Sequence, residues 1–372
     1  MEPFKNRYNQ ASIAELSKAL ESSTKNFDAA RFLDLALRQL HTLEMKERVN
    51  QITEALHAAL DSSYQVSLEA LVAVIKSSTN PEGLTGFILW PIANYIEVYG
   101  RNSRHLSFQG IFLVTKQFTG EFAIRPFIED DPEDTMKTLL EWSLDPCEHV
   151  RRLSSEGARP NLPWGKKVRW LNQNPDRLIA ILERLRHDSS LYVRKSVANH
   201  LNDISRIDPS LLIKTLRAWD KDPGIHGLWI KRHALRSLLK QGHCDALSLM
   251  GFASETQISI HDLNLSSHQV PIGGELELSF ALKNEGSQAA NLMVDYIIGF
   301  RKANGSLSDK VFKLKTVQLK ANTLVRIRKK ISLKPVTTRT LYAGIHEVKI
   351  QVNGKVKAQV DFLLTGSQSS KD

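Results

Sequence analysis

The chain has only two cysteines, Cys147 and Cys244, far apart and with no further Cys or His at ligand spacing. With that scarcity neither a disulfide framework nor a zinc site is expected, and a reducing compartment fits. No leader is expected either: the opening MEPFKNRYNQ runs straight into polar helical sequence, with no apolar core or small-residue cleavage site. No apolar run approaches the roughly 20 residues that cross a bilayer, so neither secretion nor membrane insertion is expected and the cytoplasm is the expected location. The sequence contains no HExxH helix, no GxSxG elbow and no carboxylate pair at metal spacing, which argues against protease and nuclease chemistry.

What is present is a chain of 372 residues, 42% hydrophobic, long and apolar enough for two or more domains. Fifty Lys and Arg face forty Asp and Glu, a formal charge of +10, which favours a polyanionic partner. Up to Gly251 apolar residues recur at spacings of three and four, as in Phe32, Leu33, Leu37 and Leu40, and predict a succession of amphipathic helices over 1–251. From Thr256 the period becomes two, as in Glu275-Leu276-Glu277-Leu278, and predicts an all-β domain over 256–366 with a short tail at 367–372. Asn353-Gly354 between two alternating runs predicts a hairpin with a type I′ turn. About seven strand candidates in this stretch suit an immunoglobulin-like sandwich.

Residues 255–372 hold 17 basic and 10 acidic side chains, leaving 33 against 30 in the helical part, so the β domain is the more basic. Lys310, Lys313, Lys315, Lys320, Arg326, Arg328, Lys329 and Lys330 are expected on one face of neighbouring strands, as a track for a phosphate backbone or as an ordinary solvated face. In the helical half Val150, Val193 and Ile230 stand 43 and 37 residues apart, each after an acidic break and before a basic pair. That spacing is close to the two-helix period of about 40 of HEAT-type repeats. Stacked repeats are expected to line one concave surface with Arg151, Arg152, Arg194, Lys195, Lys231 and Arg232, for a duplex or for Asp–Arg pairing between repeats.

Two segments stand out. In Phe118–Ile128 a single carboxylate, Glu121, and a single guanidinium, Arg125, lie amid apolar residues; their spacing allows a structural ion pair, or else the carboxylate is used. In His149–Gly165 helical spacing puts Arg152, Glu156 and Arg159 on one face, Gly157 permits close packing, and Pro160 and Pro163 stiffen the loop that presents Trp164, as a lesion contact or a core plug. His149 beside Cys147 reads as structural.

The strings TGEFAIRPFI, VRRLSSEGARPNLPW, WPIANYIEVYG and PFKNRYN resemble the AlkC-type DNA alkylation-repair glycosylases, relatives of the AlkD type, and the likeness spans the helical half. A basic immunoglobulin-like domain after the repeats is similar to one branch of that family. The resemblance implies a HEAT-like α-solenoid followed by an immunoglobulin-like β-sandwich that clamps DNA. It implies hydrolysis of the N-glycosidic bond of cationic N3-alkylated bases, chiefly 3-methyladenine with 3-methylcytosine, without deep-pocket base flipping. Glu156 and Glu121 carry over as catalytic carboxylates and Trp164 as the lesion-contacting aromatic, with Arg152 and Arg159 on phosphates or orienting Glu156. No metal or organic cofactor is implied; the partner is double-stranded DNA, the chain acts as a monomer, and the location is the bacterial cytoplasm at the nucleoid. The competing expectation is a non-enzymatic HEAT-repeat scaffold for nucleic acid or protein.

Overall fold

The computed structural model describes residues 3–60, 63–77, 84–252, 257–336 and 339–366. The tail expected at 367–372 lies outside them. The chain forms two compact units, 1–234 and 235–372. No helix of the described residues is long and apolar enough to cross a membrane.

The first unit is helical: α1 (Gln10–Ser23), α2 (Ala29–Leu37), α3 (Met45–Ala59), α4 (Tyr64–Ser77), α5 (Trp90–Tyr99), α6 (Arg104–Gln117), α7 (Arg125–Asp130) and α8 (Pro132–Trp142) lead to the repeat region. There α9 (Glu148–Glu156), α10 (Arg169–Gln173), α11 (Ile179–Leu185), α12 (Leu191–Ile204), α13 (Pro209–Trp219) and α14 (Gly227–Ala234) follow. Helix starts follow local chemistry. Asn9 accepts from the Ser12 amide in a capping box, and Asp131 and Asp208 cap α8 and α13, each just before a proline at the first helical position. The three periodic anchors open α9, α12 and α14, which pack in series. Val150 and Val193 are fully buried and Ile230 nearly so, each side chain stabilising the stack by about 1.5–3 kcal/mol.

The second unit begins with α15 (Arg236–Gln241) and α16 (Cys244–Leu249) and continues into β1 (Ile258–Leu265), β2 (Gln269–Pro271), β3 (Glu275–Asn284), β4 (Ala290–Arg301), β5 (Leu307–Leu319), β6 (Leu324–Ser332), β7 (Gly344–Val352) and β8 (Lys355–Thr365). Two sheets form, ordered β1-β3-β6 and β2-β8-β7-β4-β5, with Leu278, Leu282, Val294, Val348 and Ile350 in the core between them. The hairpin at Asn353-Gly354 forms as its residues require, with positive φ at both, 46° and 79°. Gly354 meets a second demand there. A Cβ on it would stand 2.0 Å from the Cα of Gly242, the residue that ends α15, so only glycine lets the helix end and the turn meet.

The basic stripe of the β unit is not laid out as expected. Lys310, Lys313 and Lys315 are on β5, the edge of the five-stranded sheet, whereas Arg326, Arg328, Lys329 and Lys330 are on β6, the edge of the three-stranded one. Lys320 is in the turn between them. The strands are consecutive in sequence but cross from one sheet to the other, as Greek-key connections do, so the cations share no single strand-paired face.

Candidate active site

The carboxylates of Glu121 and Glu156 meet on one guanidinium. Arg152, one turn before Glu156 on α9, reaches the Glu156 Oε1 at 3.3 Å and donates through Nη1 to the Oε2 of Glu121. The Thr119 hydroxyl donates to that same Glu121 oxygen at 3.0 Å. Glu156 is held further by the Arg159 Nη1 at 2.7 Å and the Ser196 hydroxyl at 2.6 Å, and Arg159 donates its Nε to Asp203 on α12 at 2.9 Å. Thus α9 brings Arg152 and Glu156 together as the helical spacing requires, Arg159 reaches Glu156 from the turn past the helix end rather than from the expected helix face, and α12 completes the group.

The Glu121–Arg125 ion pair is absent. Residues 121–124 form a turn and α7 starts only at Arg125, so the helical i,i+4 geometry on which that pair depends does not exist. Arg125, 1% exposed, instead donates to three main-chain carbonyls, those of Lys166 at 2.6 Å, Gly157 at 2.8 Å and Arg159 at 2.9 Å. It thereby fixes the segment between Glu156 and Lys166. Burial draws its own pKa down to about 10. Gly157 closes α9 against this scaffold: a Cβ there would lie 2.6 Å from the Ile124 side chain.

The two carboxyls are pushed apart electrostatically. Burial raises the pKa of Glu121, and the neighbouring Glu156 charge adds to it, more than Arg152 and Thr119 lower it. At Glu156 burial also raises the pKa, but Arg152 and Arg159, with the Ser196 hydrogen bond, outweigh it and hold the group below the usual carboxylate range. Asp203 is raised, since its burial outweighs Arg159. His200, wholly buried, is drawn down to about 3 and stays neutral; its Nδ1–H donates to the Ser155 carbonyl at 3.0 Å. The group as a whole therefore presents a fixed anion at Glu156 and a more proton-avid carboxyl at Glu121.

Trp164 is 56% exposed, which overturns its alternative as a core plug. Its φ of 64° is in the left-handed region, a strained conformation for a bulky residue that Pro163 and Gly165 flank. Its indole stacks on Trp90 at 6.0 Å between centroids and 8° between planes, and Trp90 stacks in turn on Phe122, the residue after Glu121. The Lys46 ammonium donates to the Trp164 carbonyl. Sequence reasoning missed Trp90, Asp203, Ser196 and Tyr192, whose ring carries the Arg152 guanidinium at 5.1 Å. Trp90 opens one of the unusual strings and could have been found; the three α12 residues are some forty positions from α9 and reach it only through repeat stacking.

The repeat cations divide. Arg151 grips Asp188 with two hydrogen bonds of 2.6 and 3.0 Å, Arg194 is buried on the carbonyls of Asp188 and Ser189, and Lys231 pairs with Asp220. Arg151 thus joins one repeat to the next, and Arg194 and Lys231 tie their helices to the segments just before them, so none of the three lines a surface. Lys195 and Arg232, one residue further on, are exposed, and Arg152 is drawn into the carboxylate group. The expected row of six on one surface is thus reduced because consecutive helical positions are about 100° apart and only one of each pair can face out.

Residues 120–239 match the DNA alkylation repair enzyme family, and residues 259–366 match the C-terminal Ig-like domain of the uncharacterised protein YhaZ. The chain is 40% identical over 364 residues to the uncharacterized protein YhaZ of Bacillus subtilis (strain 168), covering 97% of this chain and 99% of that one. It is similar to the solved alkylpurine DNA glycosylase AlkC of Pseudomonas fluorescens, bound to DNA containing an abasic site analog, with 36% identity, 98% of this chain and 100% of that one covered, and a TM-score of 0.91. The chain belongs to the AlkC-type family of DNA alkylation-repair glycosylases. The family profile starts one residue before Glu121 and runs past Asp203, so the whole carboxylate group lies inside it. The helical architecture and the immunoglobulin-like sandwich are both those of AlkC.

Proposed function

We propose that this AlkC-type chain hydrolyses the N-glycosidic bond of cationic N3-alkylated bases, 3-methyladenine and 3-methylcytosine, in double-stranded DNA. The observation that carries the reading is the pair of buried carboxyls on Arg152, their proton affinities displaced in opposite directions, with an exposed indole joined through Trp90 to the residue after Glu121. Alkylation at N3 leaves a positively charged base that departs readily, so no strong acid is required. What remains is to stabilise the oxocarbenium-like sugar and to deliver a water.

Glu156 takes the first task. Clasped by two guanidiniums and the Ser196 hydroxyl, it keeps its negative charge in one place and is a poor base. Glu121 takes the second: with its raised pKa it draws the proton from water more strongly as the oxygen attacks C1′. Trp164 lies against the lesion and stabilises the charged ring by cation–π attraction. Arg159 and Arg152 orient Glu156, while the exposed Lys195 and Arg232 meet phosphates and the β unit clamps the duplex. The AlkC of Pseudomonas fluorescens is bound to DNA containing an abasic site analog, a mimic of the product of such a reaction, and this supports the assignment. A monomer suffices because every group comes from one chain, and chromosomal DNA as substrate places the work at the nucleoid in the cytoplasm.

The test is to incubate the purified chain with methylated duplex DNA and measure free 3-methyladenine and 3-methylcytosine by chromatography. Release that falls in Glu156→Gln while the variant remains folded is expected. No release of either base, or variants that shift melting alone, would establish a repeat scaffold in which both carboxylates are structural.

A further inference from the structure

The stacked rings Trp164, Trp90 and Phe122 also line one side of a cleft of about 280 Å³, whose lining includes Asn94 and Glu97 of α5, and Tyr99. The carboxylate group makes no use of it. Its charge is arranged unevenly. The Glu97 side chain is 9% exposed, while its counter-ion, the Lys166 ammonium 3.0 Å away, belongs to a side chain 71% exposed, so the anion is fixed inside and the cation is in water. Asn94 donates its amide hydrogens to the Asn50 Oδ1 at 3.2 Å and the Thr53 hydroxyl at 3.0 Å, which turns its carbonyl oxygen into an acceptor of fixed orientation. The lining thus combines aromatic faces with acceptors.

The charged groups of the lining, Lys46 and Lys166 against Glu54 and Glu97, balance, so the cleft offers a phosphate no net positive charge. The volume corresponds to about nine waters, ample for one planar heterocycle. Arg125 links the cleft to the carboxylate group: it donates to the Lys166 carbonyl, and the charges of Glu97, Glu121 and Asp203 all act on it. A ring leaving the sugar beside Trp164 therefore has aromatic walls and acceptors close by.

We propose that this cleft is a receptor for the released base: an N-alkylated heteroaromatic ring with an exocyclic amino group, stacked on Trp164 and Trp90, its amino hydrogens on Glu97 and the Asn94 oxygen. The proposal rests on the glycosylase reading above. It requires no nucleotide to swing out of the duplex, since the ring enters after its bond to the sugar has broken. Free alkylated base accordingly competes with turnover.

The experiment is calorimetric titration of the full-length chain, without DNA, with free 3-methylcytosine and 3-methyladenine. The controls are cytosine, adenine and 3-methylthymine, which carries the methyl group and no amino group. Both methylated amino bases are expected to bind, the controls more weakly, and Glu97→Gln to lose at least about tenfold in affinity with a carboxylate hydrogen bond gone. Because Trp164 is exposed, Trp164→Ala provides a second variant without a core defect, and it too is expected to bind more weakly. No binding at millimolar base, or equal binding by the parent and both variants, overturns the receptor. The glycosylase reading is judged separately by base release from methylated DNA: release without binding removes only the cleft proposal, and variant-sensitive binding without release removes only the glycosylase.

Discussion

Glu156 in the helical unit and Asp295 in the β unit are withdrawn from water to a similar degree, 6% and 2% exposed, yet their charges fare in opposite ways. Glu156 has two guanidiniums and a hydroxyl on its oxygens, and its pKa falls. Asp295 sits on β4 at the bulge opposite β5, with its Oδ2 buried and unpartnered; burial lifts it to about 6, and Lys240 and Lys313, acting from a distance, offset little of that. Burial is common to both. Direct partners decide whether a buried carboxylate remains an anion ready for chemistry or a cost to folding.

The largest expected effect tests the first half of that contrast. Glu156→Gln keeps an acceptor for Ser196 but removes the charge, and base release should fall by about a thousandfold. Single-turnover release from methylated DNA measures it, and a loss of less than about tenfold would deny Glu156 the stabilising role. Next, Arg159→Met leaves Glu156 and Asp203 short of a partner and should cost about 3–5 kcal/mol in urea unfolding, because two buried carboxylates each lose a charged hydrogen-bond donor.

Asp295 supplies the opposite sign. Its folded pKa, about 6, is above the ordinary aspartate value of 3.8, so the ionised form penalises the fold. The penalty is complete above about pH 6 and fades as pH falls towards 3.8, where the carboxyl is protonated in both states. Asp295→Asn should therefore stabilise the protein by roughly 1–3 kcal/mol at pH 8 and by progressively less below pH 6. Equal stabilisation at pH 8 and pH 4.5 in thermal melts would refute the buried-charge explanation. The smallest effect concerns the surface: replacing the exposed Lys195 and Arg232 with Ala should lower the salt dependence of DNA binding by about one logarithmic slope unit for each phosphate no longer neutralised, read from anisotropy at several salt concentrations. An unchanged slope would leave the β unit as the source of the backbone neutralisation.

Much of the architecture was legible in the sequence. Period 3.6 and period 2 divide the chain because they reflect which side chains share a face, a local property. The anchors Val150, Val193 and Ile230 follow the same logic across repeats, and Asn353-Gly354 specifies its turn through φ alone. Arg152 and Glu156 could be grouped because they share a face of α9, whereas Arg159 joins them from the turn beyond the helix end. Glu121 and Arg125 could not, because local spacing implied a helix where the chain makes a turn, and the partner of Glu121 came from 31 residues away.

The sequence by itself determined the two element grammars, the excess of positive charge and the concentration of unusual polar residues in two apolar segments. Those are properties of near neighbours and composition, which backbone geometry converts directly into faces and turns. Only the tertiary structure decided which cations point outwards, which carboxylate keeps its charge, and that Trp164 stacks at the rim of a cleft. Each of these depends on desolvation and on partners contributed by other helices, and such partners come within reach only once the repeats have packed.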